Sequence, residues 1–169
     1  MRSRTSQWFE TKIRYEKMME DGRQKAVTEQ YVVDALSFTE AEASIIEEMS
    51  SYISGDFKVT GISKCAYGEI FFSDLETDDK FFKVKLQFIT IDEKTDKEKL
   101  SNVNYLVQAH TLQQAVKYIE EVMGATAIDY IFAAIQDTKI MDVFEHTTEK
   151  ITEVNDKPEY LQQDEQPKN

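Results

Sequence analysis

The sequence predicts an α+β fold in which a strand–strand–helix–strand unit occurs twice, giving mainly antiparallel sheet and two helices. Three observations predict it. The stretches WFETKIRY at 8–15 and FFKVKLQF at 81–88 alternate apolar and polar side chains, the period of a half-buried strand. Ser37-Phe38-Thr39-Glu40 and Thr111-Leu112-Gln113-Gln114 are capping boxes, which satisfy free amide groups at a helix start. Three blocks also match at a nearly constant offset: 8–15 lies on 81–88 at 73, 30–49 on 104–123 at 74, and 56–71 on 129–144 at 73.

Each element follows from its residues. In 8–15, Phe9, Thr11, Ile13 and Tyr15 share one face, and Trp8, Glu10, Lys12 and Arg14 the other. Asp21-Gly22 then signals a turn, and 24–36 reads as a second strand. Phe38, Ala41, Ile45, Met49 and Tyr52 fall at helical spacing and form one apolar stripe. Gly55 is the expected stop. Residues 56–72 read as a long third strand, bent at Gly61 or Gly68. An acidic linker, SDLETDDK at 73–80, precedes the second round.

That round repeats the order: a strand at 81–88, a charged loop at 92–99, a strand at 100–110, a helix bearing Leu112, Ala115, Ile119, Val122 and Met123 before Gly124, and a strand at 129–144. In the gapless middle block seven of 20 positions are identical, among them Tyr31/Tyr105, Ala41/Ala115 and Ile45/Ile119. The expected units are 7–72 and 81–145, packed as one domain, with 146–169 a disordered polar tail holding both prolines. The last strand is apolar on both faces, which predicts contact with the first unit or with a second chain.

Composition narrows the function. The 169-residue chain carries a net charge of −12 and repels free nucleic acid unless its basic residues cluster. Cys65 is the only cysteine, so neither an internal disulfide nor a cysteine-rich zinc site is expected. One thiol fits a reducing compartment. The segment MRSRTSQWFE lacks the apolar run of a secretory signal, and no stretch is apolar enough to span a membrane. A cytoplasmic location is expected.

No catalytic, cofactor or metal residues stand out. His110 and His146 have no ligand-spaced neighbours. The five glycines are scattered rather than gathered in a phosphate loop. Cys65 reads as a small buried residue. One pattern is more suggestive. If Phe9 and Phe82 face the helices, the opposite faces carry Trp8, Lys12 and Arg14 in the first unit and Phe81, Lys83 and Lys85 in the second, with Lys58 and Lys64 alongside. Aromatic and basic side chains on an open sheet can bind single-stranded nucleic acid. The competing and preferred reading is that lysines merely keep exposed strands soluble.

The segments WFETKIRYEK, YVVDALSFTEAE and GISKCAYGEIFF resemble an uncharacterised domain family of gut Bacteroidales bacteria and their tailed phages, crAss-like ones included. The resemblance covers roughly residues 7–145. It implies no activity and no functional residues. Phage members lie among replication genes, which implies a nucleic-acid-linked process by association. The expectation is therefore a non-enzymatic binding or adaptor protein working through protein partners, with homo-oligomerisation open. The alternatives are a single-strand nucleic-acid binder and an enzyme with a site between the units.

Overall fold

The computed structural model describes residues 1–146; the remainder of the polar tail lies outside the described residues. The elements are β1 (Arg2–Thr5), β2 (Trp8–Met18), β3 (Gln24–Asp34), α1 (Phe38–Tyr52), β4 (Phe57–Lys64), β5 (Glu69–Phe72), β6 (Lys80–Ile91), β7 (Glu98–Ala109), α2 (Leu112–Met123), β8 (Asp129–Asp137) and β9 (Ile140–Phe144). Among the described residues the fold is α+β, with two helices and mixed, mostly antiparallel sheets. One sheet has the order β4-β2-β3-β9 and the other β1-β5-β7-β6-β8.

The expected hairpins form, β2 with β3 and β6 with β7. The first strand of each half lies in the middle, between its hairpin partner and the strand that follows the helix. The predicted third strands are each two strands. In the first half the chain leaves β4, passes through Cys65–Gly68, and joins the other sheet as β5, parallel to β7. In the second half it leaves β8 and joins the first sheet as β9, parallel to β3. This crossing explains the two apolar faces of 129–144: its final part is buried against the other half. The crossing strands also mean that neither half completes its sheet alone.

Each long outer strand carries one extra residue. The β2/β4 register shifts beside Thr60, and the β6/β8 register shifts beside Ala133. A bulge reverses which face later residues use. Lys58 therefore stands opposite Arg14, while Lys64 stands opposite Phe9 rather than joining the basic face. Likewise Ile135 shares a core with Phe132, although simple alternation puts them on opposite faces.

Both capping boxes form. Ser37 Oγ accepts the Glu40 N–H at 3.1 Å, and Glu40 Oε2 accepts the Leu36 N–H at 3.1 Å. Thr111 and Gln114 repeat the arrangement. Helix α1 stops at Ile53, whose backbone turns extended, before Gly55 is reached. Ala41, Ile45 and Met49 pack on Phe9, Ile13 and Val33. Ala115, Ile119 and Met123 of α2 pack on Phe82, Val84, Leu86 and Val107. The opposite faces of the two sheets meet around Trp8, Val32, Ile70, Phe81, Leu106 and Val143. The layers run helix, sheet, sheet, helix.

The acidic linker is not simply solvated. Asp78 is buried; its carboxylate accepts from the Tyr118 hydroxyl at 2.6 Å and from Ser73 Oγ. The linker is thereby fixed to α2. His146, assigned to the tail from sequence, is half-buried; its N–H donates to Asp34 Oδ1 at 2.5 Å and its Nε2 lies 2.6 Å from Glu48.

Candidate functional site

The inner faces of the sheets, opposite the helices, divide into a closed part and an open part. In β2 the inward series is Trp8, Glu10, Lys12, Arg14; in β6 it is Phe81, Lys83, Lys85, Gln87. Pairing adds Val32, Gln30 and Thr28 on one sheet and Leu106, Asn104 and Asn102 on the other. Moving outward from the core, β2 turns from the aromatic Trp8 to the charged Glu10, Lys12 and Arg14, and β6 from Phe81 to Lys83 and Lys85 and then to the amide Gln87.

At the closed end, Trp8 and Phe81 are 1% and 2% exposed. This corrects the expectation that both rings lie on an open platform. Alternation placed them on the right face, but the two faces close on each other there. Trp8 Nε1 donates to the Gly68 carbonyl at 3.1 Å, so its polar edge is also engaged. Neither ring is available to stack on a base. The space between the halves, one expected place for an active site, is filled at this end by side chains.

The boundary is a small polar cluster. Lys83 Nζ lies 2.7 Å from Glu10 Oε1 and links the sheets. The Tyr67 hydroxyl donates to the same oxygen at 3.1 Å. Burial pushes the Cys65 thiol up to about 12; nearby Glu10 adds to this, while Tyr67 and Lys83 oppose it. Burial first, then Cys65 and Glu10, also raises the Tyr67 hydroxyl far above its ordinary range. Cys65 is thus a neutral thiol near neutral pH, the opposite of an activated nucleophile. Among the described residues no cluster of three or more His, Cys, Asp or Glu is arranged to hold an ion.

Beyond Glu10 and Lys83 the faces open. Lys12, Arg14 and Lys58 are exposed and Lys85 is half-buried. None of these four has an acidic side chain within ion-pair distance among the described residues. A hollow of about 210 Å³ lies beside Lys12, lined also by Glu10, Gln30 and Thr60–Ser63. Gly61 supplies its floor without a side chain, so the Lys12 stem runs across it, 3.7 Å from where a Cβ would stand. Of the six residues singled out from sequence, Lys12, Arg14 and Lys85 remain accessible cations, Lys83 is committed to Glu10, and Trp8 and Phe81 belong to the core. Helix α1 has the opposite character. It carries Glu40, Glu42, Glu47 and Glu48 and no lysine or arginine.

Sequence reasoning missed a second ionic centre. Arg4 of β1 pairs with Asp34, whose side chain is fully buried, and lies 2.7 Å from Glu145; Arg2 lies 2.5 Å from Glu145. Arg2 also sits 4.2 Å over the Phe72 ring and Arg4 5.6 Å from the Trp8 ring, within cation–π range. Burial opposes ionisation of Glu145, but the hydrogen bonds from Arg2 and Arg4 outweigh it and hold its carboxyl below the usual range. The only local signal was the alternation Arg2-Ser3-Arg4; its partners lie far along the chain.

Among the described residues no helix is long and apolar enough to cross a membrane. No curated protein and no solved structure matches the chain. A family model described as "Domain of unknown function" (DUF4494) matches residues 7–146.

Proposed function

The chain belongs to the DUF4494 family, and within it we propose a non-enzymatic binding or adaptor protein that receives an acidic protein surface on the open inner faces of its sheets. One observation carries this reading. In a chain of net charge −12, Lys12, Arg14, Lys58 and Lys85 lie on the faces turned away from the helices and, among the described residues, have no acidic side chain within ion-pair distance. Such local reversal of sign steers an oppositely charged partner and fixes its orientation. The glutamates of α1 keep the same partner off the helical side. The proposed setting is the cytoplasm of a gut Bacteroidales bacterium or of one infected by a tailed phage.

A second reading uses the same cations on the phosphates of single-stranded nucleic acid. It is favoured by the amide side chains beside them, Gln30, Asn102 and Asn104, and weakened by the burial of Trp8 and Phe81, which removes base stacking. Fluorescence anisotropy at low salt distinguishes the two. A Glu/Asp-rich peptide is expected to bind, with affinity falling as salt rises. At about 0.5 kcal/mol per exposed ionic contact, replacing all four cations by alanine weakens it by roughly thirtyfold. Binding of oligothymidine without the peptide transfers the conclusion to the second reading. Binding of neither refutes both.

A further inference from the structure

We propose that the edge of β5 is a docking groove for an extended segment of a partner protein carrying arginine at alternate positions, and that β1 fills this groove as the chain's own occupant. The proposal is independent of the basic inner faces.

The groove is defined by what it holds. β1 pairs antiparallel with β5, Arg2 opposite Phe72 and Arg4 opposite Ile70, so main-chain pairing supplies a strand-addition mode of recognition. Residues two apart on a strand point the same way, and here that places both guanidinium groups over carboxylates. Glu145 takes Arg2 and Arg4 together, and buried Asp34 takes Arg4. The flat faces of Phe72 and Trp8 stand under the two cations. A planar guanidinium fits carboxylate and ring at once in a way that lysine does not. The site therefore selects Arg-x-Arg in an extended backbone.

Two further observations separate groove from occupant. The family match begins at residue 7 and so includes β5, Asp34 and Glu145 but not β1. β9 holds the place in its sheet that β5 holds in the other, each parallel to the second strand of the opposite hairpin. Yet β9 has no outer strand among the described residues, and its Val143 N–H is answered by its neighbour Asp142 at 2.8 Å. Among the described residues an added strand is thus particular to β5. β1 itself is four residues long, with three of them exposed. β1 buries no apolar side chain, and an incoming Arg-x-Arg strand replaces its ion pairs to Asp34 and Glu145 one for one, which makes β1 exchangeable.

The test uses a labelled peptide of residues 1–7 with a photo-crosslinking group. In excess over the intact chain it is expected to label residues 69–72. A chain carrying Arg2→Ala and Arg4→Ala, whose own strand competes poorly, is expected to bind it at least about tenfold more tightly than the intact chain, because two charge-assisted contacts are lost from the competitor. The same peptide with both arginines replaced by alanine is expected to bind that variant at least about tenfold more weakly. Absence of labelling at 69–72 in the intact chain overturns the proposal whether or not the variant folds. So does equal binding of the arginine and alanine peptides. A dimer of the intact chain, seen by light scattering and dissociated by Arg4→Ala, makes a second copy the occupant and overturns the assignment to a different protein.

Discussion

Trp8→Ala separates a structural ring from a ligand platform. Trp8 is 1% exposed and stands in the core between the sheets with Phe81, Leu106 and Val143. Burying an indole removes roughly 200 Å² from water, worth about 5 kcal/mol at ~25 cal/mol/Å². The denatured chain already buries part of that area, so the figure is an upper bound. Truncation also leaves the Gly68 carbonyl without its 3.1 Å donor. Large aromatic-to-alanine changes in cores cost about 3–5 kcal/mol, and about 4 is expected here. For a chain of this size that lowers the melting temperature by roughly 8–16 °C. Far-UV circular dichroism in urea is the assay, since the substitution removes the only tryptophan. In the unsubstituted chain, the same burial predicts emission that iodide does not quench. A loss below about 1 kcal/mol, as at exposed sites, refutes the inter-sheet packing and returns Trp8 to the surface.

Two other predictions concern pH and the backbone. The Cys65 thiol, raised to about 12 by burial, ionises near 8.5 in the unfolded chain; between those values the unfolded state binds fewer protons, so stability falls as pH rises. The Tyr15 hydroxyl, also pushed up to about 12, by burial and then by its hydrogen bond to Glu29, acts in the same direction. The urea midpoint should therefore drop between pH 8 and 10.5, and a thiol reagent at pH 8 should react with half-buried Cys65 far more slowly before unfolding than after it. An unchanged midpoint or a fast-reacting folded thiol contradicts this. Gly22 has φ of 82° at the β2–β3 turn, so Gly22→Ala should cost about 1 kcal/mol. At Gly61 a Cβ meets Lys12 at an ordinary 3.7 Å, so Gly61→Ala should change stability by less than about 0.5 kcal/mol. Equal costs in urea unfolding would contradict the distinction.

What could be read from sequence was local. Alternation in WFETKIRY and FFKVKLQF placed Phe9 and Phe82 toward the helices, and the two capping boxes fixed both helix starts. Strand partners are chosen across the chain and leave no such mark. Nothing in DFKVTGISKCAYGEIFF states that β5 joins the opposite sheet. An extra residue such as Thr60 or Ala133 has no signature of its own, yet it decided that Lys58 joins Arg14 and Lys64 does not. The candidate surface was recovered in part for the same reason. Parity found the face bearing Lys12, Arg14 and Lys85, while the packing of one sheet on the other, which hid Trp8 and Phe81, is a tertiary event. Asp34 and Asp78 carry no local mark of burial; partners including Arg4 and His146 for the first, and Tyr118 and Ser73 for the second, make it tolerable.

Amide chemical-shift mapping during titration with the Glu/Asp-rich peptide tests the interaction surface most directly. Perturbations confined to the outer parts of β2, β4 and β6, around Lys12, Arg14, Lys58 and Lys85, are the predicted result. Perturbations centred on α1 or α2, with those strands unmoved, would contradict it.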